Sequence, residues 1–97
     1  MRSKNENMEF DWDDNKAEAN VKKHEISFHE ARTVFEDYFT VTVIDEEHSI
    51  DELRYITIGQ SASGRLLVVC HTFKESKIRI ISARKPTKSE RKRYENE

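Results

Sequence analysis

Tyr55, Thr57, Arg65, His71, Lys77 and Arg79 include the kinds of side chain that handle a phosphodiester, and alternation along three apolar segments places them on one face. Cleaving RNA through its own 2′-hydroxyl needs a group to take that proton and cations for the pentavalent phosphorus. It also needs a proton for the departing 5′-oxygen. Histidine suits the proton steps because its pKa of about 6.5 lies near working pH. Arginine offers a planar fork of donors to phosphate oxygens and keeps its charge. The same residues also suit a plain solvated sheet face, and residue types alone do not decide between the two.

Other chemistries have weaker footing. His24 and His29 are five apart, so they do not form the H-E-x-x-H zinc pattern. With a single cysteine and no close carboxylate–histidine cluster, neither a metal nor another cofactor is expected. His29 reads as solvated, and His48 sits in an acidic connection without a signal of its own. The sequence has no phosphate-cradling glycine loop and no nucleophile elbow.

The elements that must position these residues follow from periodicity and caps. Residues 1–7 are polar and unpatterned, and read as a disordered leader; 8–97 read as a single domain. Residues 9–12 form a short extended lead-in with Phe10 and Trp12 facing the same way. A first helix is predicted over 13–24, with Asp13 and Asp14 at its positive end and Lys22, Lys23 and His24 at its negative end. Ser27 and Glu30 form a capping box for a second helix over 27–37, where Phe28, Ala31, Val34, Phe35 and Tyr38 recur at helical spacing. From Phe39 the period becomes two, and strands are predicted over 39–44, 53–59, 65–73 and 77–84. Thr87 and Glu90 then cap a polar last helix. The fold class is α+β: two N-terminal helices, a four-stranded antiparallel sheet and a C-terminal helix.

Hairpin geometry sorts the faces. A three-residue loop over 74–76 sets His71 opposite Arg79, and a five-residue loop over 60–64 sets Ile58 opposite Leu66. The core face is then even-numbered, holding Ile56, Ile58, Leu66, Val68, Cys70, Ile78 and Ile80, with the second helix packed on it. One residue more or fewer in the 74–76 loop separates His71 from Arg79.

Composition bounds the rest. Ninety-seven residues, 35% apolar and 37% charged, allow one small domain with a thin core. The net charge of −2 hides an asymmetry: residues 1–52 sum to −9 and residues 53–97 to +7. A basic half suits a polyanionic partner such as nucleic acid, whereas an acidic half disfavours contact on every side. No apolar run approaches the ~20 residues that span a bilayer, and no signal-peptide h-region follows the start. A lone Cys70 in an apolar run fits a reducing, cytoplasmic setting.

A longer pattern runs through these segments: Phe10-x-Trp12-Asp13-x-x-Lys16, Asn20-x-x-Lys23-His24-x-Ile26-Ser27-Phe28-x-Glu30-Ala31 and Val34-Phe35-x-Asp37. Downstream come Glu52-x-Arg54, Gly59, Arg65-x-Leu67-x-Val69, the run Arg79-Ile80-Ile81-Ser82-Ala83-Arg84, then Glu90-Arg91 and Tyr94. Over residues 8–95 this resembles the BrnT family of bacterial toxins. The resemblance implies a RelE-like fold, metal-independent RNA cleavage that blocks translation, and neutralisation by a BrnA-type antitoxin. Operator DNA would be reached only through that antitoxin. Carried onto this chain, it implies functional roles for Lys23, His24, Arg54, Arg65, Arg79 and Arg84, with Glu52 as an acid–base or orienting carboxylate. His71 joins this set from the face reading above.

The residues also admit plainer roles: His24 as a packed helix-end imidazole, Arg54 and Arg84 as partners of carboxylates such as Glu30 or Glu52, and Trp12 as core. The family usually carries glycine after the Lys-His pair, where a helix end wants a left-handed residue; Glu25 stands there instead, which implies a strained or reshaped joint. Lys88, Arg91, Lys92, Arg93 and Tyr94 on the last helix read as a contact surface for RNA or antitoxin. An antitoxin lying across this helix and the odd-numbered sheet face would match acidic residues to Arg79, Arg91 and Arg93. The alternatives are a non-catalytic module acting as corepressor with a DNA-binding antitoxin, and a structural dimer subunit.

Overall fold

The computed structural model describes residues 8–96, so the leader predicted over 1–7 lies outside the described residues. Strand β1 (Glu9–Trp12) leads into helix α1 (Asp14–His24), capped by Asp13, whose carboxylate accepts the N–H groups of Asn15 at 2.8 Å and Lys16 at 3.1 Å. Two of the N–H groups left open at any helix start are thereby satisfied. The helix ends on Glu25, which takes the left-handed conformation (φ 57°, ψ 36°) and donates its N–H to Val21 O at 2.9 Å. The joint is therefore kept in its usual shape, with glutamate holding the strained position.

Helix α2 (Phe28–Thr33) is shorter than its apolar spacing suggests and tightens into a 3-10 turn at Val34–Glu36. Thr33 Oγ1 bonds back to Glu30 O at 2.7 Å, and its oxygen also receives Ala62 N–H at 2.8 Å, so the helix ends where the side chain competes with the ladder. Asp37 then turns the chain by accepting Phe39 N–H at 2.9 Å, and strand β2 (Val41–Ile44) starts two residues later than Phe39. Strands β3 (Tyr55–Gln60), β4 (Leu66–Lys74) and β5 (Lys77–Arg84) follow, then helix α3 (Lys88–Asn96).

The sheet has five strands in the order β1-β5-β4-β3-β2, and it is mixed: β1 runs parallel to β5, pairing Phe10 with Ile78 and Trp12 with Ile80. This corrects the expected four-stranded antiparallel sheet. Local hairpin rules find only neighbours in sequence, and β1 meets a partner from the far end of the chain.

The faces also differ from expectation. Ile58 pairs with Val68 and Ile56 with Cys70, so the β3–β4 loop is displaced without a change of parity. The β4–β5 connection is a two-residue turn, with positive φ at Glu75 (53°) and Ser76 (68°), the geometry that matches strand twist. His71 consequently stands opposite Ile80, and Arg79 opposite Thr72. The predicted His71–Arg79 pair does not form. A bulge opposite Cys70/His71 leaves Ile81 without a partner, and beyond it Cys70 pairs with Ser82 and Val68 with Arg84. An extra residue reverses the alternation, so Arg79 and Arg84, odd and even, lie on the same face.

α1, α2 and the 3-10 turn cover the other face. The core there joins Ile26, Phe28, Ala31, Val34 and Phe35 to Leu67, Val69, Ile78, Ile80 and Ala83, with Phe10 and Trp12 packed beside them. Odd residues of β3 and β4, and in β5 Ile78 and Ile80 before the bulge and Ala83 after it, thus face the helices, not the even set throughout. Gly59 lies in this layer because a Cβ would come within 2.7 Å of Thr40 Cγ2 and 2.8 Å of Val34 Cγ1.

Candidate active site

The residues expected to act together separate into three places. At the α1–α2 joint, Lys23 is exposed and His24 half-buried. Arg65, at the start of β4, turns toward this joint: Nε donates to Glu30 Oε2 at 3.0 Å and Nη2 to Glu25 O at 3.3 Å. Ser61 and Ser63 hydroxyls donate to the same Glu30 oxygen at 2.7 and 2.6 Å. The Arg65 bond, first among these, holds the Glu30 carboxyl down at about 2. Ser27 Oγ still accepts Glu30 N–H at 3.0 Å, but the Glu30 side chain serves Arg65, leaving half a capping box. Arg65 ties the β3–β4 loop to α2.

His71 is a core residue. It is 1% exposed, its ring edge-on to Phe35 with centroids 4.9 Å apart, and Nε2 lies 2.8 Å from Thr57 Oγ1. Burial pushes its pKa down to about 4, and Nδ1 is buried without a hydrogen-bond partner. A ring sealed under the helices cannot reach RNA, and Tyr55, stacked on it at 5.8 Å, shares that side. His29 is exposed as expected, yet its ring packs against Trp12 at 5.0 Å.

The opposite face gathers the remaining arginines. Arg79 Nη1 bonds Asp11 Oδ1 at 3.1 Å across the β1–β5 pair. Arg84 forms a two-pronged pair with Glu90, at 2.7 and 2.9 Å, and that bond holds the Glu90 carboxyl below its ordinary range. Glu90 Oε1 also accepts Thr87 N–H at 2.9 Å while Thr87 Oγ1 accepts Glu90 N–H at 3.2 Å, so this capping box closes fully. Tyr94 OH donates to Asp37 Oδ2 at 2.6 Å; burial, then the Asp37 bond, pushes the phenol up to about 12. Two polar anchors therefore fix α3, which has no buried residue and leaves Lys88, Arg91, Lys92 and Arg93 exposed. Arg54 precedes β3 and pairs with Glu52 at 3.5 Å. Chemically, this face offers fixed cations spaced along a strand and a basic helix beside them, which suits a phosphate backbone.

Residues 12–90 match the family model described as "Ribonuclease toxin, BrnT, of type II toxin-antitoxin system". The chain belongs to the BrnT family. The crystal structure of the Brucella abortus ribonuclease toxin BrnT, solved at 1.1 Å, shares the fold with a TM-score of 0.65. It is 19% identical in sequence, and the match covers 84% of this chain and 99% of that one. Comparison with curated proteins gives no match.

Two features of this BrnT chain escaped the residue-level reading. Asn20, 6% exposed, clamps α1 to β5: its amide donates to Ile26 O and Ala83 O, both at 2.9 Å, and accepts Ala83 N–H at 3.1 Å. A polar residue on the inner side of a narrow apolar stripe was the available signal. Asp45 and His48 form the second, with Nδ1 2.9 Å from Oδ2, and the D-x-x-H spacing across one tight turn was the clue.

Proposed function

We propose that this chain is a RelE-like endoribonuclease that cleaves RNA without a metal, stops translation in the cytoplasm, and is neutralised by a BrnA-type antitoxin. The observation that carries the reading is the bulge at Ile81, which turns Arg79 and Arg84 to one face in a chain of a ribonuclease toxin family. Fixed guanidinium groups supply the charge stabilisation that a pentavalent phosphate demands. Lys23, His24 and Arg65 act at the joint, as structural supports or as contacts to a strand that wraps around the sheet edge. The antitoxin covers α3 and the Arg79–Arg84 face, since the odd-numbered face of β3 and β4 is already occupied by helices. Operator DNA is contacted through the antitoxin alone.

The test is direct. Purified protein incubated with RNA in EDTA is expected to cut it, and equimolar antitoxin to stop the cutting. Cleavage that needs an added divalent ion contradicts the metal-free part of the reading.

A further inference from the structure

Among the described residues, the arginine face carries no histidine of its own. His71 is sealed in the core, His29 packs on Trp12, and His24 ends α1 on the helix-covered side. His48 is placed differently. β2 runs into a 3-10 turn, Glu46–His48, that sets the ring against Asp45. Asp45 is 8% exposed, and its backbone is fixed at both ends. Its N–H donates to Arg54 O at 2.8 Å, and its carbonyl accepts Ser49 Oγ at 2.6 Å. An ionised carboxylate only accepts hydrogen bonds, so Nδ1 carries the ring proton and Nε2 keeps the open lone pair.

The His48 side chain is 59% exposed and lines a cavity of about 450 Å³ with Glu47, Ile50, Asp51, Glu52 and Arg54. Arg54 supplies the complementary group. Its Nε is buried with no hydrogen-bond partner and stands 3.5 Å from the Glu52 carboxylate in their ion pair. A partly exposed guanidinium and an imidazole lone pair lining the same cavity match the two demands of a phosphodiester next to a 2′-hydroxyl.

We propose that His48, oriented by Asp45, is the general base of RNA cleavage by this chain, with Arg54 holding the scissile phosphate. The proposal rests on the ribonuclease reading above. Nε2 takes the 2′-hydroxyl proton as O2′ bonds to phosphorus and the P–O5′ bond breaks. The 5′-oxygen leaves with a proton from water, and His48 returns its own proton to water. The products are a 2′,3′-cyclic phosphate and a 5′-hydroxyl, with no net change in protons. Asp45 is a positioning residue that holds the tautomer and steadies the imidazolium as it forms. Charges facing the ring are Asp45, Glu47, Asp51, Glu52 and Arg54; Glu47, Asp51 and Glu52 all oppose a phosphate, so it binds by displacing the Glu52 carboxylate from Arg54.

Single-turnover cleavage of an RNA oligonucleotide by wild type, His48→Ala and Asp45→Asn, followed across pH and with added imidazole, tests this. His48→Ala is expected to lose roughly 10²–10⁴-fold in rate, to lose the acid limb of the pH–rate profile, and to regain rate with imidazole. Asp45→Asn should lose less and keep the limb. Thermal melts of each variant separate a loss of rate from a loss of fold, since His48→Ala leaves the Asp45 carboxylate without its ring partner. Wild-type rates in His48→Ala, or a slow variant with an unchanged acid limb and no imidazole rescue, overturn this proposal and leave the ribonuclease reading standing. RNA left intact by the wild type overturns the ribonuclease reading, and this proposal with it.

Discussion

The two faces of the sheet hold similar residues and put them to different uses. On the helix side, Arg65 pairs with Glu30, which two serine hydroxyls also hold, and His71 is sealed beside Phe35. On the other face, Arg79 and Arg84 each keep one carboxylate partner and remain partly exposed. The second face is not bare: Ile58 and Val68 are buried there, outside the helix-side core, and α3 contacts β3 and reaches Arg84 through Glu90. Residue type therefore says little about role in this fold. Partner number does not separate the arginines, since Arg65 and Arg84 each bond one carboxylate twice and one backbone carbonyl once; what separates them is the part of the sheet on which each stands.

The largest expected effect tests the helix-covered face. Phe35→Ala should cost about 3–5 kcal/mol, since the ring is buried between Phe10 and His71. A urea titration measures it, and a loss under about 1 kcal/mol would remove Phe35 from the core layer. Next comes the arginine face. Arg79→Ala should lower RNA cleavage roughly 10²–10³-fold, the scale of one lost transition-state donor, with little change in the urea midpoint. An equal fall in stability would instead make Arg79 a β1–β5 clamp through Asp11.

His71 sharpens the comparison through pH. Folded, it binds a proton only near pH 4; unfolded, it binds at its ordinary 6.5. Between these values the unfolded state holds more protons, so stability is full above pH 6.5 and falls as pH drops toward 4. Glu30 continues the decline from its ordinary 4.5 toward about 2, because only the unfolded carboxyl protonates in that window. His71→Phe should flatten the upper part of this profile, whereas a profile unchanged by the substitution would assign the decline to other groups. The smallest effect lies at the joint. Glu25→Gly should stabilise by about 1 kcal/mol, because glycine adopts the left-handed conformation without the Cβ penalty. A destabilised variant in thermal melts would mean that Glu25 contributes through its nearby Arg65 more than its backbone costs.

Local structure was legible where a residue's signal is carried by its near neighbours. The caps at Asp13, Ser27 and Thr87 and the end of α1 at His24 follow from hydrogen-bond partners two to four residues away, and the span of β5 from its apolar run between turn residues. The family signature was equally legible, because a repeated pattern of residue types needs no coordinates.

The face of the sheet was not. β4 reads Leu66-Leu67-Val68-Val69-Cys70-His71, apolar on both sides, so alternation gives no sign of which side the helices take. One fewer residue in the turn at Glu75–Ser76 and one extra at Ile81 each reverse parity, and neither has a composition of its own. Sequence by itself determined the elements, their caps and the family. Only the tertiary structure decided that His71 is internal and Arg65 tied to Glu30, that Arg79 and Arg84 share a face, and that β1 closes the sheet beside β5. The reason is physical: a cap is settled within one turn of chain, whereas a register is settled by the fit of distant side chains across the whole sheet.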